Sequence, residues 1–381
     1  MEVAAALSEH PLPTHAVGDA TGEVLEQLGG APDVAAVFVT SGHAGALEDI
    51  AAAVRAILSP TLLVGAASTA IIGGHREVED RPGIAVWAAR SRGIAPVRIE
   101  TRRTDEGWTI QGLPRRAADG DRMLVLFGDP FSFPAEGFLE ELRSTCPQLT
   151  VVGGMAAGAQ GPGGSRLLLG DQIHTDGAVG LLLPKDADVA AVVSQGCRPI
   201  GAPLVVTRSE RNVIFELGGR PALERLREVV EELDPDDRAR ASAGLHLGLV
   251  MNEGQATFGT GDFVIRNVIG ADTSAGAVGV AEMVPVGHTV QFHLRDAATA
   301  DLDLRASLSS MEGDGALVFT CSGRGHDLFG YPDHDADVVA AALGTRATAG
   351  FFSANELGPV GGQNFLHGFA TSVLVFGPRP T

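Results

Sequence analysis

The chain has 381 residues, 45% of them apolar and 20% charged, the balance of a globular protein long enough for two domains. A formal net charge of −19 argues against a binder of nucleic acid or of an anionic membrane. Three cysteines (Cys146, Cys197 and Cys321) without CxxC spacing make neither a disulfide framework nor a zinc site.

The first thirty residues read as an N-terminal extension. Met1 to Gly22 is acidic, is interrupted by Pro11 and Pro13, and lacks the basic start and apolar run of a signal peptide. No apolar run approaches the roughly 20 residues of a membrane span. The expectation is a soluble, cytoplasmic protein.

A first block then begins. Val34 to Thr40 reads as a strand, and Leu47, Ile50, Ala51, Val54, Ile57 and Leu58 keep one helical face up to Pro60. Strands follow at Leu62 to Gly65 and Gly83 to Ala89. A second block repeats the plan. Strand Met123 to Phe127 leads to a helix marked by Phe138, Leu139 and Leu142, then to strand Leu149 to Val152, the Gly-rich loop Gly153 to Gly164, and strands Arg166 to Leu169 and Gly177 to Leu183. That loop lacks a Gly-Lys-Ser/Thr ending, so it is not read as a phosphate site.

A joining segment follows, with strands at Val189 to Ser194, Leu204 to Thr207 and Asn212 to Leu217. Gly218-Gly219-Arg220-Pro221 then opens a helix with Pro221 in its first turn. Later strands are expected at Gly244 to Val250, Phe263 to Ile269, Ala277 to Met283 and Thr289 to Leu294, with a helix over Asp296 to Leu308.

The closing block, Gly315 to Phe376, has the same order as the first two. Strand Leu317 to Phe319 breaks into Cys321-Ser322-Gly323-Arg324-Gly325. An Asp-rich start leads into helix Val338 to Leu343, and strand Ala349 to Phe352 runs into Ser353-Ala354-Asn355-Glu356. His367 precedes the last strand, Thr371 to Phe376. A helix linking two strands favours parallel pairing, and a short return favours an antiparallel strand. The expected class is α/β (α+β): two domains of mixed β-sheets flanked by helices, built from duplicated β-α-β-β units, at 31–217 and 218–377.

Several stretches together resemble the FIST family, the F-box and intracellular signal transduction module. They are Gly196-Cys197-Arg198-Pro199-Ile200-Gly201, Glu216-Leu217-Gly218-Gly219-Arg220-Pro221-Ala222 and Phe263-Val264-Ile265-Arg266-Asn267-Val268-Ile269-Gly270. The Cys321 to Gly325 turn and Gly350 to Pro359 complete the set. The resemblance implies an N-terminal and a C-terminal FIST domain that sense small ligands, amino acids among them, upstream of signalling. Asn355 stands where the family pattern has Gly, and the comparable first-block loop, Ala66 to Gly73, carries no acidic residue. No output segment is recognised, so a separate kinase or response regulator would read the signal.

Cys321, Arg324, Asn355, Glu356 and His367 lie at or beyond strand ends, where open α/β sheets bind ligands. Arg324 is a fork-shaped donor for a carboxylate, and Glu356 suits an ammonium group. The bland alternative pairs Arg324 with Asp327 or Glu356 and leaves Cys321 as an inert core thiol. His326, His334 and His367 have no metal-ligand spacing, and no cofactor is called for. Three functions stand open. The first is a non-catalytic sensor of a small polar metabolite. The second is an enzyme with Cys321 as nucleophile and His367 or His326 as base. The third is a scaffold for a signalling partner.

Overall fold

A computed structural model of the chain describes residues 1–105, 107–113, 121–255 and 257–380. It divides into two compact units. The larger holds Met1–Ser194, Leu304–Leu366 and Ala370–Thr381; the smaller holds Gln195–Asp303 and His367–Phe369.

The larger unit carries one plan three times. In the first copy, strand Val34–Thr40 passes through helix Leu47–Leu58 to the parallel strand Leu62–Ser68, and strand Ile84–Arg90 returns antiparallel on the other side of the first strand. In the second, Asp121–Gly128, helix Ala135–Thr145, Thr150–Ala156 and the return Ala178–Pro184 pair the same way. In the third, the corresponding elements are Gly315–Cys321, helix His334–Leu343, Thr348–Val360 and Ala370–Phe376. The first copy forms a six-stranded sheet, while the second and third share a twelve-stranded one. These are the mixed sheets that the sequence pattern leads one to expect.

Side-chain alternation, with its period of two, sorts each central strand between two cores. Val34, Ala36 and Phe38 enter one core, and Ala35, Val37 and Val39 enter another under the helices. Likewise Leu317 and Phe319 join the first core, while Ala316 and Val318 pack with the helix residues Val338, Val339 and Leu343. The first core lies between the sheets. Phe38, Phe127, Phe319 and Phe351, one from each of four strands, meet there with ring centroids 5.2–5.7 Å apart. Burying each such side chain stabilises by about 1.5–3 kcal/mol.

Residues 2–28 are part of this architecture. Strand Glu2–Ser8 pairs antiparallel with Ile84–Arg90. Helix Pro13–Leu28 buries Ala16, Val17, Ala20 and Val24 against the six-stranded sheet. Pro13 sits in the first turn of that helix, where a missing N–H costs nothing, so this proline starts a helix instead of interrupting one. Gly29 closes it in the left-handed conformation.

In the smaller unit all the main strand pairings are antiparallel. The order runs Cys197–Glu210, Thr289–Arg295, His246–Val250, Phe263–Asp272, Ala277–Val280 and Val213–Leu217. The last of these also pairs with the first, so the sheet closes on itself. Leu247, Leu249, Val290, Phe292 and Leu294 face a core shared with Leu223 and Leu226 of helix Ala222–Glu231. Among the described residues, no helix is long and apolar enough to cross a membrane.

Candidate functional site

Strand Gly315–Cys321 is buried along its length and delivers Thr320 and Cys321 to its C-terminal end. The chain then turns tightly, with the Arg324 N–H donating to the Cys321 carbonyl at 2.8 Å. Gly325 follows at φ +67°; a Cβ there would lie 2.7 Å from a Glu79 carboxylate oxygen and 2.8 Å from the Phe352 ring, so only glycine fits. The short helix His326–Phe329 ends at Gly330, and the chain enters helix His334–Leu343 through Asp333 in the left-handed region.

This path brings Asp335, one residue into the helix, onto Arg324. Nε donates to Oδ2 at 2.6 Å and Nη2 to Oδ1 at 2.8 Å, a two-pronged pair with both side chains fully buried. Burial alone would raise the Asp335 carboxyl. The Arg324 charge and the bonds from Arg324, His334 and Thr320 outweigh it and hold the group well below the usual carboxylate range. Thr371 Oγ1 also donates to Asp335 Oδ2, at 2.8 Å. His334 Nδ1 donates to Asp335 Oδ1 at 2.9 Å while its ring stacks on Phe329 at 3.4 Å.

Glu77, on a short strand of the first block, caps this helix from outside it. Its Oε1 accepts the N–H groups of Asp335 and Ala336 at 2.9 and 3.1 Å, satisfying two donors at a positive helix end. Its own N–H donates to Asp333 Oδ1 at 2.7 Å. Burial, then the Asp335 charge, pushes the Glu77 carboxyl up to about 8.

Glu356 reaches the same place from strand Thr348–Val360. Ser353 and Glu356 are three residues apart, so an unbroken strand would send them to opposite faces. The pairing with Thr150–Ala156 slips instead: Gly154 stands opposite Glu356 and Ala156 opposite Ser353. This bulge turns both side chains inward, and Ser353 Oγ donates to Glu356 Oε1 at 2.6 Å. The Ala370 N–H donates to Oε2 at 3.1 Å. Burial pushes the Glu356 carboxyl up to about 8, although Ser353, Ala370, Arg324 and the Cys321 thiol all favour its charged form. At neutral pH it is mostly protonated.

Cys321, Arg324 and Glu356 are therefore brought together where the parallel pairing of two strands ends, at the partners Cys321 and Ser353. They are also sealed: Cys321 is 6% exposed, Arg324 1% and Glu356 0%. Asn355 is half-buried beside the exposed Ala354. His367 belongs to the smaller unit and is 2% exposed. His326 and Asp327 are exposed on the short helix. Among the described residues, no group of three or more His, Cys, Asp or Glu side chains is placed to hold a metal ion.

The partner of Arg324 is Asp335, a residue that sequence reasoning noticed only as part of an Asp-rich helix start. That acidic run eleven positions after an arginine at a strand end was the available signal. Glu77 gave none, because its role depends on a contact across more than 250 positions.

Two family models match the chain, the FIST N domain over residues 33–220 and the FIST C domain over 222–359. The chain is 42% identical over 385 residues to "Uncharacterized protein Rv0628c" of Mycobacterium tuberculosis (strain ATCC 25618 / H37Rv), covering 99% of this chain and 100% of the relative. It is 41% identical over 385 residues to "Uncharacterized protein Mb0898c" of Mycobacterium bovis, covering 99% of each. FIST domains are associated with signal transduction and sensing.

Proposed function

We propose, since this chain belongs to the FIST family, that it is a non-catalytic sensor of a small polar metabolite, with the ligand received by Cys321, Arg324, Asn355 and Glu356 of the larger unit. The observation that carries the reading is the meeting of Cys321, Arg324 and Glu356, which lie up to 35 positions apart, in one cluster where the parallel strand pairing ends. A protonated Glu356 offers both a donor and an acceptor, and Arg324, already held by Asp335, lends positive potential beside it. The half-buried Asn355 adds an amide at the edge.

Because the cluster is sealed, binding requires the segment 325–333 to lift away from Arg324, over which Phe329 lies at 5.3 Å. That segment is built for it: His326, Asp327, Gly330, Tyr331 and Pro332 are exposed, and Gly325, Gly330 and Asp333 hold positive φ at its turns. A ligand that prefers the opened form shifts the population toward it, and a separate kinase or response regulator reads the displaced segment.

The test is thermal melting of the full chain against a panel of amino acids and other small polar metabolites. At least one compound should raise the melting temperature, since a ligand that prefers the folded chain stabilises it. Glu356→Gln and Asn355→Ala should weaken its binding roughly tenfold or more, about 1.4 kcal/mol. A panel that leaves the melting temperature unmoved, or a shift that persists undiminished in both variants, overturns the proposal.

A further inference from the structure

Strand Glu2–Ser8 is the outermost strand of the six-stranded sheet, paired on one side only, with Ile84–Arg90. Backbone alternation decides which of its groups are left over. The Thr40 N–H donates to the Gly83 carbonyl at 3.1 Å and the Asp33 N–H to the Ala89 carbonyl at 3.0 Å, so odd-numbered residues of the return strand bond toward Val34–Thr40. Its even-numbered residues bond the other way, where they stand opposite Glu2, Ala4, Ala6 and Ser8. Val3, Ala5 and Leu7 therefore turn their N–H and C=O groups to the open edge. Among the described residues no second strand pairs with that edge; the Ala5 carbonyl is met by the Gln27 side-chain amide, at 3.5 Å.

A groove of about 450 Å³ lies along this edge, with Val3, Ala5 and Leu7 as its floor. Its walls follow from where the side chains of the strand point. Ala4 and Ala6 pack under helix Pro13–Leu28, so Glu23 and Gln27 of that helix make one wall. Gln27 Nε2 donates to Glu23 Oε1 there at 3.1 Å. Ala5 enters the core between the sheets, and a Cβ on Gly73 would lie 2.7 Å from Leu7 Cβ. The other wall is therefore the turn after Gly73 and the loop before Thr348, which carry Arg76 and Arg346. Arg76 pairs with Glu9 at 2.6 Å. Arg346 is exposed, and its guanidinium has no hydrogen bond or ion pair among the described residues.

An open strand edge is a template for pairing, and proteins blunt it with Lys or Pro or cover it. The five residues from Val3 to Leu7 are all apolar, with neither Lys nor Pro. In a chain of net charge −19, an uncommitted cation stands beside that edge.

We propose that the groove receives an extended acidic segment of a partner protein, which joins the sheet as an added strand. Main-chain bonds to Val3, Ala5 and Leu7 supply the affinity. These residues repeat every second position, the period at which an extended peptide turns its own N–H and C=O groups to one side. Val3 to Leu7 spans about 13 Å, room for about five extended residues. Alternate side chains of the added strand face the two walls. Those on the Arg346 side suit a carboxylate, which matches the fork of a guanidinium. Those on the Glu23 side suit an uncharged or cationic group. This surface is separate from the Cys321 cluster and does not depend on it.

The experiment titrates the full chain by calorimetry with the peptide acetyl-Thr-Glu-Val-Glu-Thr-amide and with its counterpart carrying Lys for each Glu. The acidic peptide should bind at least tenfold more tightly than the basic one, and Arg346→Glu should reverse that preference. Hydrogen exchange of the unmodified chain, read residue by residue, gives a second test. The amides of Val3, Ala5 and Leu7 should exchange quickly in the free chain and at least tenfold more slowly with the acidic peptide. Those of Ala4 and Ala6, already bonded within the sheet, should not change. If neither peptide binds, if both bind equally, or if binding leaves the Val3, Ala5 and Leu7 amides unprotected, the inference is wrong. Protection of those three amides in the peptide-free chain, lost on dilution, would give the edge to a second copy of the chain and also overturn it.

Discussion

Glu356 is the residue whose chemistry is most at odds with its type. Its carboxyl is pushed up to about 8 by burial, against an ordinary value of 4.5. The folded chain thus holds a proton that the unfolded chain releases, so this contribution to stability is full below pH 4.5 and is lost as pH rises toward 8. Glu356→Gln keeps the shape without the titration. Its urea-unfolding midpoint should change with pH less steeply than that of the wild type between pH 5 and 8. Equal slopes would show that Glu356 is charged in the fold. Arg324 gives a second check. Replacing it by Ala leaves Asp335 buried without its cation, a loss of roughly 3–5 kcal/mol in a urea melt. Removing both charges with Arg324→Met and Asp335→Leu should return much of that stability. A single variant as stable as wild type would mean that the pair is solvated. From the sequence, Cys321, Arg324 and Glu356 were legible as polar residues at strand ends. Asp335 as the arginine's partner was not, because spacing along a chain does not say which of several acids a turn will deliver.

Among the elements, two devices make the cluster. One is the bulge that turns Ser353 and Glu356 to the same side. The other is the pair of turns that fold 325–333 back on Arg324. Gly325→Ala should be costly, since positive φ and contacts of 2.7–2.8 Å both oppose a Cβ. The expected loss is about 1–3 kcal/mol by chemical denaturation, and a neutral result would show that the turn relaxes freely. The strands and helices of the three blocks were readable because hydrophobic alternation and helical periodicity repeat in each. The bulge was not, because nothing in Ser353-Ala354-Asn355-Glu356 differs from an ordinary strand end. The N-terminal helix was obscured by its prolines, whose meaning depends on whether they start a helix or interrupt one.

Across the whole molecule, the two units carry opposite proton linkages. Glu77 and Glu356 of the larger unit sit at about 8, so their share of its stability is lost as pH rises from 4.5 toward 8. His246 and His293 of the smaller unit sit at about 4 against 6.5, so theirs is present above pH 6.5 and lost as pH falls through 4. Both tryptophans, Trp87 and Trp108, lie in the larger unit, so their fluorescence follows that unit alone. Its melting midpoint should decline between pH 6.5 and 8. Hydrogen exchange in strands His246–Val250 and Thr289–Arg295 should accelerate instead as pH drops from 6.5 to 4, after correction for the intrinsic rate. Matching pH trends in both units would refute this division. The family was legible from motif order, and the three-copy plan from repeated periodicity. How the last copy rejoins the first two was not, since that depends on pairings such as Gly154 with Glu356 that join distant parts of the chain.

The central claim is that a sealed cluster serves as a ligand site beneath a segment that opens. Native-state hydrogen exchange of the amides between Gly325 and Asp333, followed across low urea concentrations, tests it most directly. The expected result is exchange through an opening of lower free energy and smaller urea dependence than global unfolding, made faster by the compound that stabilises the chain. Exchange of those amides only through global unfolding, with or without that compound, would contradict the claim.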